Sequence, residues 1–537
     1  MFVVLQDSNT DVAQDLKAAE APSSCHSHVS YPAIPKNRRL TTPPPPNKVW
    51  DPADTDSIYG LGWTFFMGRP EWTAEPDVDV IRRTVRDCLQ TTEEITVNFL
   101  ANGMYNRAYV ITLGENGSKK DSDLIFRASL PICPHYKTAS EVATLQFLRK
   151  HTSIPVPRVH SYNSSADLLD NELRFEWILM ERIEGVPFTN IWRRSEAIGV
   201  ERFESIVETV AGFFNELHEI RFPVIGSLYM EEDLSSQNDD LIAAHPTGYN
   251  GFMIGPIVYE AYSGRILNVP RDVGPFLTDH SFMKAIVEAH LATLQELKGR
   301  QEADSDTSSM FEGVIVETMP AGVNLFERLR NDIVSEIFPD VQSKSPNGYP
   351  LIHHDLHSDN LMVNAETLTI TGILDWEFIN TVPAWLETDY PKIIRGSKVV
   401  PEEEPVRLIG EGEREAHEND PWVPWARMKL RRVYDRAFGR SPELLLDADK
   451  EKKREFKKYL FFVLEDPDWV SGWCDRVLEW RAGVSSSEEE HQQEHDLLVP
   501  EPIPSSQSDD LSDPNPDTCL PQLASLEPAA MSTDIIS

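Results

Sequence analysis

The segment Leu351–Glu377, LIHHDLHSDNLMVNAETLTITGILDWE, constrains this chain more than any other. Two apolar runs lie close together in it, Leu361–Val363 and the alternating Leu368–Leu374, with Asn364–Thr367 between them. That pattern predicts two short strands joined by a turn. Polar residues mark the ends of this hairpin. Asp355 follows an apolar run, with a histidine two places before it; Asn360 comes five residues later, and Asp375 closes the second run. The hairpin would bring Asn360 and Asp375 onto neighbouring strands.

An amide oxygen and a carboxylate so placed suit a hard divalent cation. Mg²⁺ prefers oxygen ligands and usually accepts one or two carboxylates beside phosphates and water. Asn360 and Asp375 supply such oxygens, which leaves Asp355 to orient a hydroxyl and receive its proton. Phosphoryl transfer asks a protein for positioning and positive charge more than for covalent chemistry. Two other readings use the same residues. One is a hairpin whose acids merely face solvent; the other is a zinc site from His353, His354 and His357, which lacks cysteine partners and helical pair spacing.

HHDLHSDN followed by ILDWE resembles the aminoglycoside phosphotransferase family, and its fungal branch in particular. That family is related to choline and fructosamine kinases. The resemblance implies an α+β, protein-kinase-like fold with a small β-rich first lobe and a large helical second lobe, to which composition adds disordered ends. It implies ATP and Mg²⁺ as cofactors, Asp355 as catalytic base, and Asn360 and Asp375 as magnesium ligands. His353 and His357 would brace the loop by hydrogen bonds.

The resemblance also implies parts upstream. Ile95–Leu113 reads as strand, turn and strand, where Asn102 and Gly103 would take unusual backbone angles and offer N–H groups to phosphate. An ordinary hairpin turn has the same look. The strand Asp123–Ser129 would carry the phosphate-binding cation, here Arg127 in place of a lysine. Its partner would be Glu141, near the start of a helix capped by Ser140. A solvated strand arginine and a first-turn glutamate are the plainer readings. Phe175–Ile183 reads as a buried strand running into a hinge, with adenine held by main-chain groups near Glu181 and Ile183 and with Met180 lining the pocket. Glu377 would help to bind a cation or substrate, or serve as a structural carboxylate.

The remaining boundaries follow from composition. Residues 1–75 form an extension with the proline-rich run Thr41–Asn47 and then aromatic residues expected to dock on the first lobe. Residues 76–183 form the first lobe and 184–484 the second, with a substrate-side insertion at about 230–346. In this stretch Phe282–Leu297 and Val323–Ile337 show helical periodicity, and Gly255-Pro256 and Gly274-Pro275 read as turns. Helices are also expected at Val80–Leu89, Phe203–Ile220, Trp425–Arg436 and Lys450–Leu464. Residues 485–537 contain no Lys or Arg and are expected to be a disordered acidic tail.

The chain carries 50 Lys+Arg against 87 Asp+Glu, a formal charge of −37. That balance disfavours nucleic acid and anionic membrane as partners and suits a cationic acceptor. Five cysteines without paired spacing indicate reduced thiols. No run approaches a membrane span, and Met1–Ala21 lacks a basic start, so the cytoplasm is the expected place. ILDWE runs into INTVPAW without an Ala-Pro-Glu segment, which favours a small-molecule hydroxyl over a protein as acceptor. A pseudokinase that binds nucleotide or a partner without turnover is the alternative. The sequence does not indicate an oligomeric state.

Overall fold

Alternating side chains build the first sheet. The computed structural model describes residues 58–63, 70–114, 123–192, 199–235, 243–259, 272–303, 320–340, 347–386, 390–396, 403–405, 422–439, 448–463 and 467–482. The proline-rich run, the acidic tail, Cys25 and Cys519 lie outside them. A short hairpin of β1 (Leu61–Trp63) and β2 (Pro70–Trp72) comes first, then α1 (Val78–Leu89), which is capped by the Asp77 carboxylate. Next come β3 (Ile95–Asn102), β4 (Asn106–Leu113), β5 (Leu124–Ser129), α2 (Tyr136–His151), β6 (Val159–Asn163) and β7 (Glu176–Glu181). The strands form one antiparallel sheet in the order β3-β4-β5-β7-β6.

Along β5, Leu124, Phe126 and Ala128 enter a core shared with α1, Leu61, Tyr109 and Leu179. Arg127 therefore belongs to the opposite face, the face of α2. The opening hairpin closes the outer face: the rings of Tyr59 and Trp72 lie 5.5 and 5.1 Å from that of Phe175. Arg107 stacks 4.5 Å over Trp72.

α2 begins five residues earlier than the sequence pattern indicated. Ser140 and Glu141 are consequently interior and buried, not a cap and a first-turn acid. The cap position is His135, whose side chain makes no capping bond. Its N–H donates instead to the carboxylate of Glu176 on β7, at 2.9 Å. A neighbouring strand thus serves the helix end, and a search for local capping residues cannot find it.

Burial pushes the Glu176 carboxyl up to about 7. An acid raised in the folded state stabilises the fold fully below its unfolded value near 4.5 and loses that contribution as pH rises through 7. The loss is on the order of 3 kcal/mol. Glu176→Gln keeps an acceptor for His135 and removes the titration. The unfolding free energy of the unaltered chain should therefore fall against that of the variant between pH 4.5 and 7. A pH-independent difference in urea titrations would contradict this.

After β7 the chain turns at Gly185, where φ is +113 and a Cβ would lie 2.5 Å from the Val363 carbonyl. β8 (Val186–Pro187) adds to the hairpin described below, and α3 (Phe188–Trp192) follows. α4 (Glu204–Glu219) buries Ile206, Val210, Phe214 and Leu217. Phe213, on the same helix, is only half-buried. β9 (Gly226–Met230), α5 (Glu231–Ser235), β10 (His245–Pro246) and β11 (Phe252–Gly255) come next. Gly255 is thus a strand residue and not a turn; without a side chain it lies against the Tyr229 ring.

α6 (Asp279–Ala303) and α7 (320–337, with a π turn at Leu329–Ile333) precede β12 (Leu351–Ile352). β13 (Leu361–Val363) and β14 (Ile370–Ile373) form the hairpin, and β15 (Asn380–Thr381) returns beside β12. The last described helices are α8 (Trp422–Phe438), α9 (Ala448–Phe462) and α10 (Pro467–Ala482). One core joins α2, α4 and α8 to the hairpin, and a second joins α6, α7, α9 and α10 to Trp385. The hairpin's ends therefore rest on a rigid helical base.

Candidate active site

Asn360 ends the turn before β13, and Asp375 lies two residues beyond β14. The Leu374 N–H donates to the Asn360 carbonyl at 2.8 Å, directly beside the Leu361–Ile373 pair. Asn360 is fully buried, and its Nδ2 donates to the Asp355 carbonyl at 3.0 Å. That bond fixes the amide and leaves Oδ1 shielded with no hydrogen-bond partner. Asp375 Oδ1 is likewise shielded and unpartnered. Two orphaned oxygens at one end of a hairpin incur a cost unless something binds them. An amide and a carboxylate oxygen are a donor set that fits Mg²⁺ shared with phosphates.

Asp375 holds a left-handed backbone, φ +64, which a short polar side chain tolerates. Burial, and then the charge of Glu377, push its carboxyl up to about 7. Asp355 is partly open, and Lys392 Nζ reaches its Oδ1 at 2.7 Å from the turn 391–396. The His357 N–H donates to the Asp355 carbonyl at 2.9 Å. His353 sits 4.6 Å from the Trp376 ring; its Nδ1 accepts from the Asp355 N–H, and its Nε2 donates to the Leu374 carbonyl. Burial lowers His353 to about 4 and His354 to about 3, so both are neutral. With both ring nitrogens of His353 engaged, the histidines cannot form the zinc site considered above. Among the described residues no cluster of three or more His, Cys, Asp or Glu is placed to hold a metal.

Arg127 and Glu141 form a buried ion pair beneath the sheet. Burial opposes the guanidinium charge, but Glu141, Glu377 and Asp375 outweigh it and keep Arg127 above its ordinary value. The same group of charges therefore links the arginine to Asp375.

Two upstream expectations need correction. Asn102 and Gly103 do not adopt left-handed angles, and the Gly103 N–H donates to the Asn106 carbonyl at 2.8 Å. Asn102 Oδ1 accepts from Arg107 Nε. A two-residue tip, Met104-Tyr105, closes the hairpin tightly enough to use that N–H internally. At the end of β7, the Glu181 N–H donates to the Arg158 carbonyl at 2.9 Å and its side chain faces Arg158 and Arg149. It is thus turned toward β6. Among the described residues Arg182 and Ile183 make no main-chain hydrogen bond. Met180 is buried against Val142 and Ile178.

The model of the phosphotransferase enzyme family matches residues 96–250 and 327–387. Over these segments the chain belongs to that family. Its matched region spans the sheet, α2 and the whole Asp355–Asp375 loop. A subtelomeric hrmA-associated cluster protein of Aspergillus fumigatus is 26% identical over 317 residues, which cover 54% of this chain and 59% of that protein. The mitochondrial protein named altered inheritance of mitochondria 9, from Meyerozyma guilliermondii, is 25% identical over 344 residues, covering 60% and 54%. The matched stretch thus spans little more than half the length of these curated relatives.

Among solved structures, a putative aminoglycoside phosphotransferase from Ralstonia eutropha is 14% identical and covers 73% of this chain and 90% of its own, with a TM-score of 0.36. Choline kinase from Cryptosporidium parvum is 12% identical, covers 79% and 98%, and gives 0.34. Likenesses that distant do not bear on function.

Three residues of this phosphotransferase-family chain escaped the sequence reading: Asn106, Lys137 and Lys392. For Lys137 a signal existed. It lies four residues before Glu141, on the same helix face. Lys392 offered none, because only the fold brings residue 392 back to the loop.

Proposed function

We propose that this chain transfers the γ-phosphoryl group of ATP, with Mg²⁺, to a hydroxyl of a small molecule. The supporting observation is the pair of buried, unpartnered oxygens of Asn360 and Asp375 at one end of a hairpin, next to Asp355. Asn360 Oδ1 and Asp375 Oδ1 would hold the metal, which when bound supplies positive charge to the triphosphate. Arg127, steadied by Glu141, offers a fixed cation to phosphate oxygens. The acceptor hydroxyl gives its proton to Asp355 as its oxygen bonds to the γ-phosphorus, and the bond to the bridging oxygen breaks to release ADP. Lys392 holds the Asp355 carboxylate in one orientation meanwhile.

The tight tip at Asn102 and Gly103 covers the nucleotide in this reading and donates no N–H from Gly103. Adenine would use the main chain of Arg182 and Ile183, beyond Glu181. A small-molecule acceptor agrees with the absence of an Ala-Pro-Glu segment after Asp375. Among the described residues no helix is long and apolar enough to cross a membrane. Cytoplasmic residence is part of the proposal; because some relatives carry mitochondrial names, cell fractionation is its check.

Calorimetric titration of the full chain should show ATP binding that requires Mg²⁺, and a panel of amino-alcohols and sugars should include one that drives ADP release. No magnesium-dependent binding would reject the reading. Binding without turnover on any acceptor would favour a nucleotide-binding pseudokinase.

A further inference from the structure

Lys137 is a buried lysine that the transfer chemistry above does not use; its side chain is 1% exposed. Its Nζ lies 2.6 Å from a Glu377 oxygen and 3.2 Å from Asn106 Oδ1. Asn106 donates from Nδ2 to the same Glu377 oxygen at 2.8 Å, and its Oδ1 also accepts from the Ser129 hydroxyl at 2.6 Å. Every partner is thus oriented by another. Lys137 and Asn106 belong to the first lobe, on α2 and β4, whereas Glu377 follows β14 in the second. One carboxylate joins the two lobes.

The segment it joins is in an unfavourable conformation. Asp375 and Phe378, on either side of Glu377, have φ values of 64° and 57°. Non-glycine residues persist in that region only when their surroundings hold them there. The Phe378 ring packs edge-on against Tyr105, next to Asn106, at 5.3 Å. Both ends of the constraint therefore come from the β3–β4 tip and α2.

We infer that Lys137 and Asn106 act through Glu377 as positioning residues: together the three form a clasp that holds the first lobe over the metal-binding segment. The clasp sets Asp375 against the Arg127–Glu141 pair. It rests on the Mg-ATP reading above and extends it, since a clasp of this kind matters only if both lobes hold one ligand. A lysine serving the fold alone would not need partners from both lobes, two residues from Asp375.

The test is calorimetric Mg-ATP binding and thermal unfolding of the full chain, Lys137→Met, Lys137→Arg and the double variant Lys137→Met/Glu377→Gln. Lys137→Met takes the lysine counterion from a buried carboxylate and is expected to lose stability. The double variant leaves no lone charge and should fold, yet should bind Mg-ATP about tenfold more weakly, as a displaced phosphate site does. Lys137→Arg keeps the cation and should stay within about threefold of the unaltered chain. Binding by the double variant as tight as in the unaltered chain would overturn the clasp. So would a double variant that does not fold, because the pair would then support the fold and not the site. Arginine as weak as methionine also counts against it. If the unaltered chain itself binds no Mg-ATP, the function reading fails first and the clasp's role fails with it.

Discussion

Replacing Asp355 with asparagine should lower turnover about 1000-fold, the scale of a lost general base, and leave Mg-ATP affinity nearly unchanged. The asparagine keeps an oxygen that can accept the acceptor's hydroxyl hydrogen bond, but it cannot take the proton. Backbone bonds around the site do not depend on the carboxylate: the Asp355 carbonyl still receives the Asn360 amide and the His357 N–H. What changes locally is the ion pair with Lys392, which is partly exposed and contributes little to stability. Single-turnover measurements with a screened acceptor, set beside nucleotide titrations, would show this split. Equal losses in binding and turnover would mean that Asp355 holds the nucleotide and does not serve the acceptor.

Asp375→Asn should have the opposite profile. Magnesium-dependent ATP affinity should fall by at least about tenfold, as loss of a coordinating or supporting group commonly does. Stability of the nucleotide-free chain at pH 8 should rise at the same time. Burial and the neighbouring Glu377 disfavour ionised Asp375, whose carboxyl they push up to about 7, and a neutral amide removes that penalty. Asparagine also tolerates the φ of +64 better than alanine would. A gain in stability with a loss in binding separates a site residue from a residue that supports the fold. Thermal unfolding and calorimetry on the same samples would measure both, and a loss of stability with unchanged affinity would contradict the assignment.

The hairpin beside these two residues was legible because it is local: apolar runs, a turn at Asn364 and polar ends all lie within 27 residues of sequence. The Arg127–Glu141 spacing was legible for a similar reason, a strand followed at once by a helix. What local pattern could not show was where α2 begins, because Glu176, from a distant strand, supplies the acceptor at its end. It could not show that the Gly103 N–H is used inside its own turn, since a single glycine fits both a phosphate loop and an ordinary hairpin. Lys392 and Glu377 found their partners only through tertiary folding. The helical periodicity at Trp425–Arg436 and Lys450–Leu464 gave the helices but not the packing of α9 against α6 and α7.

The most direct measurement is a structure of the full chain with Mg²⁺ and a non-hydrolysable ATP analogue. One metal ion should be bound by Asn360 Oδ1 and Asp375 Oδ1 at about 2.1 Å, with Asp355 outside its coordination shell. A metal held elsewhere, or a nucleotide whose phosphates lie away from Asn360 and Asp375, would contradict it.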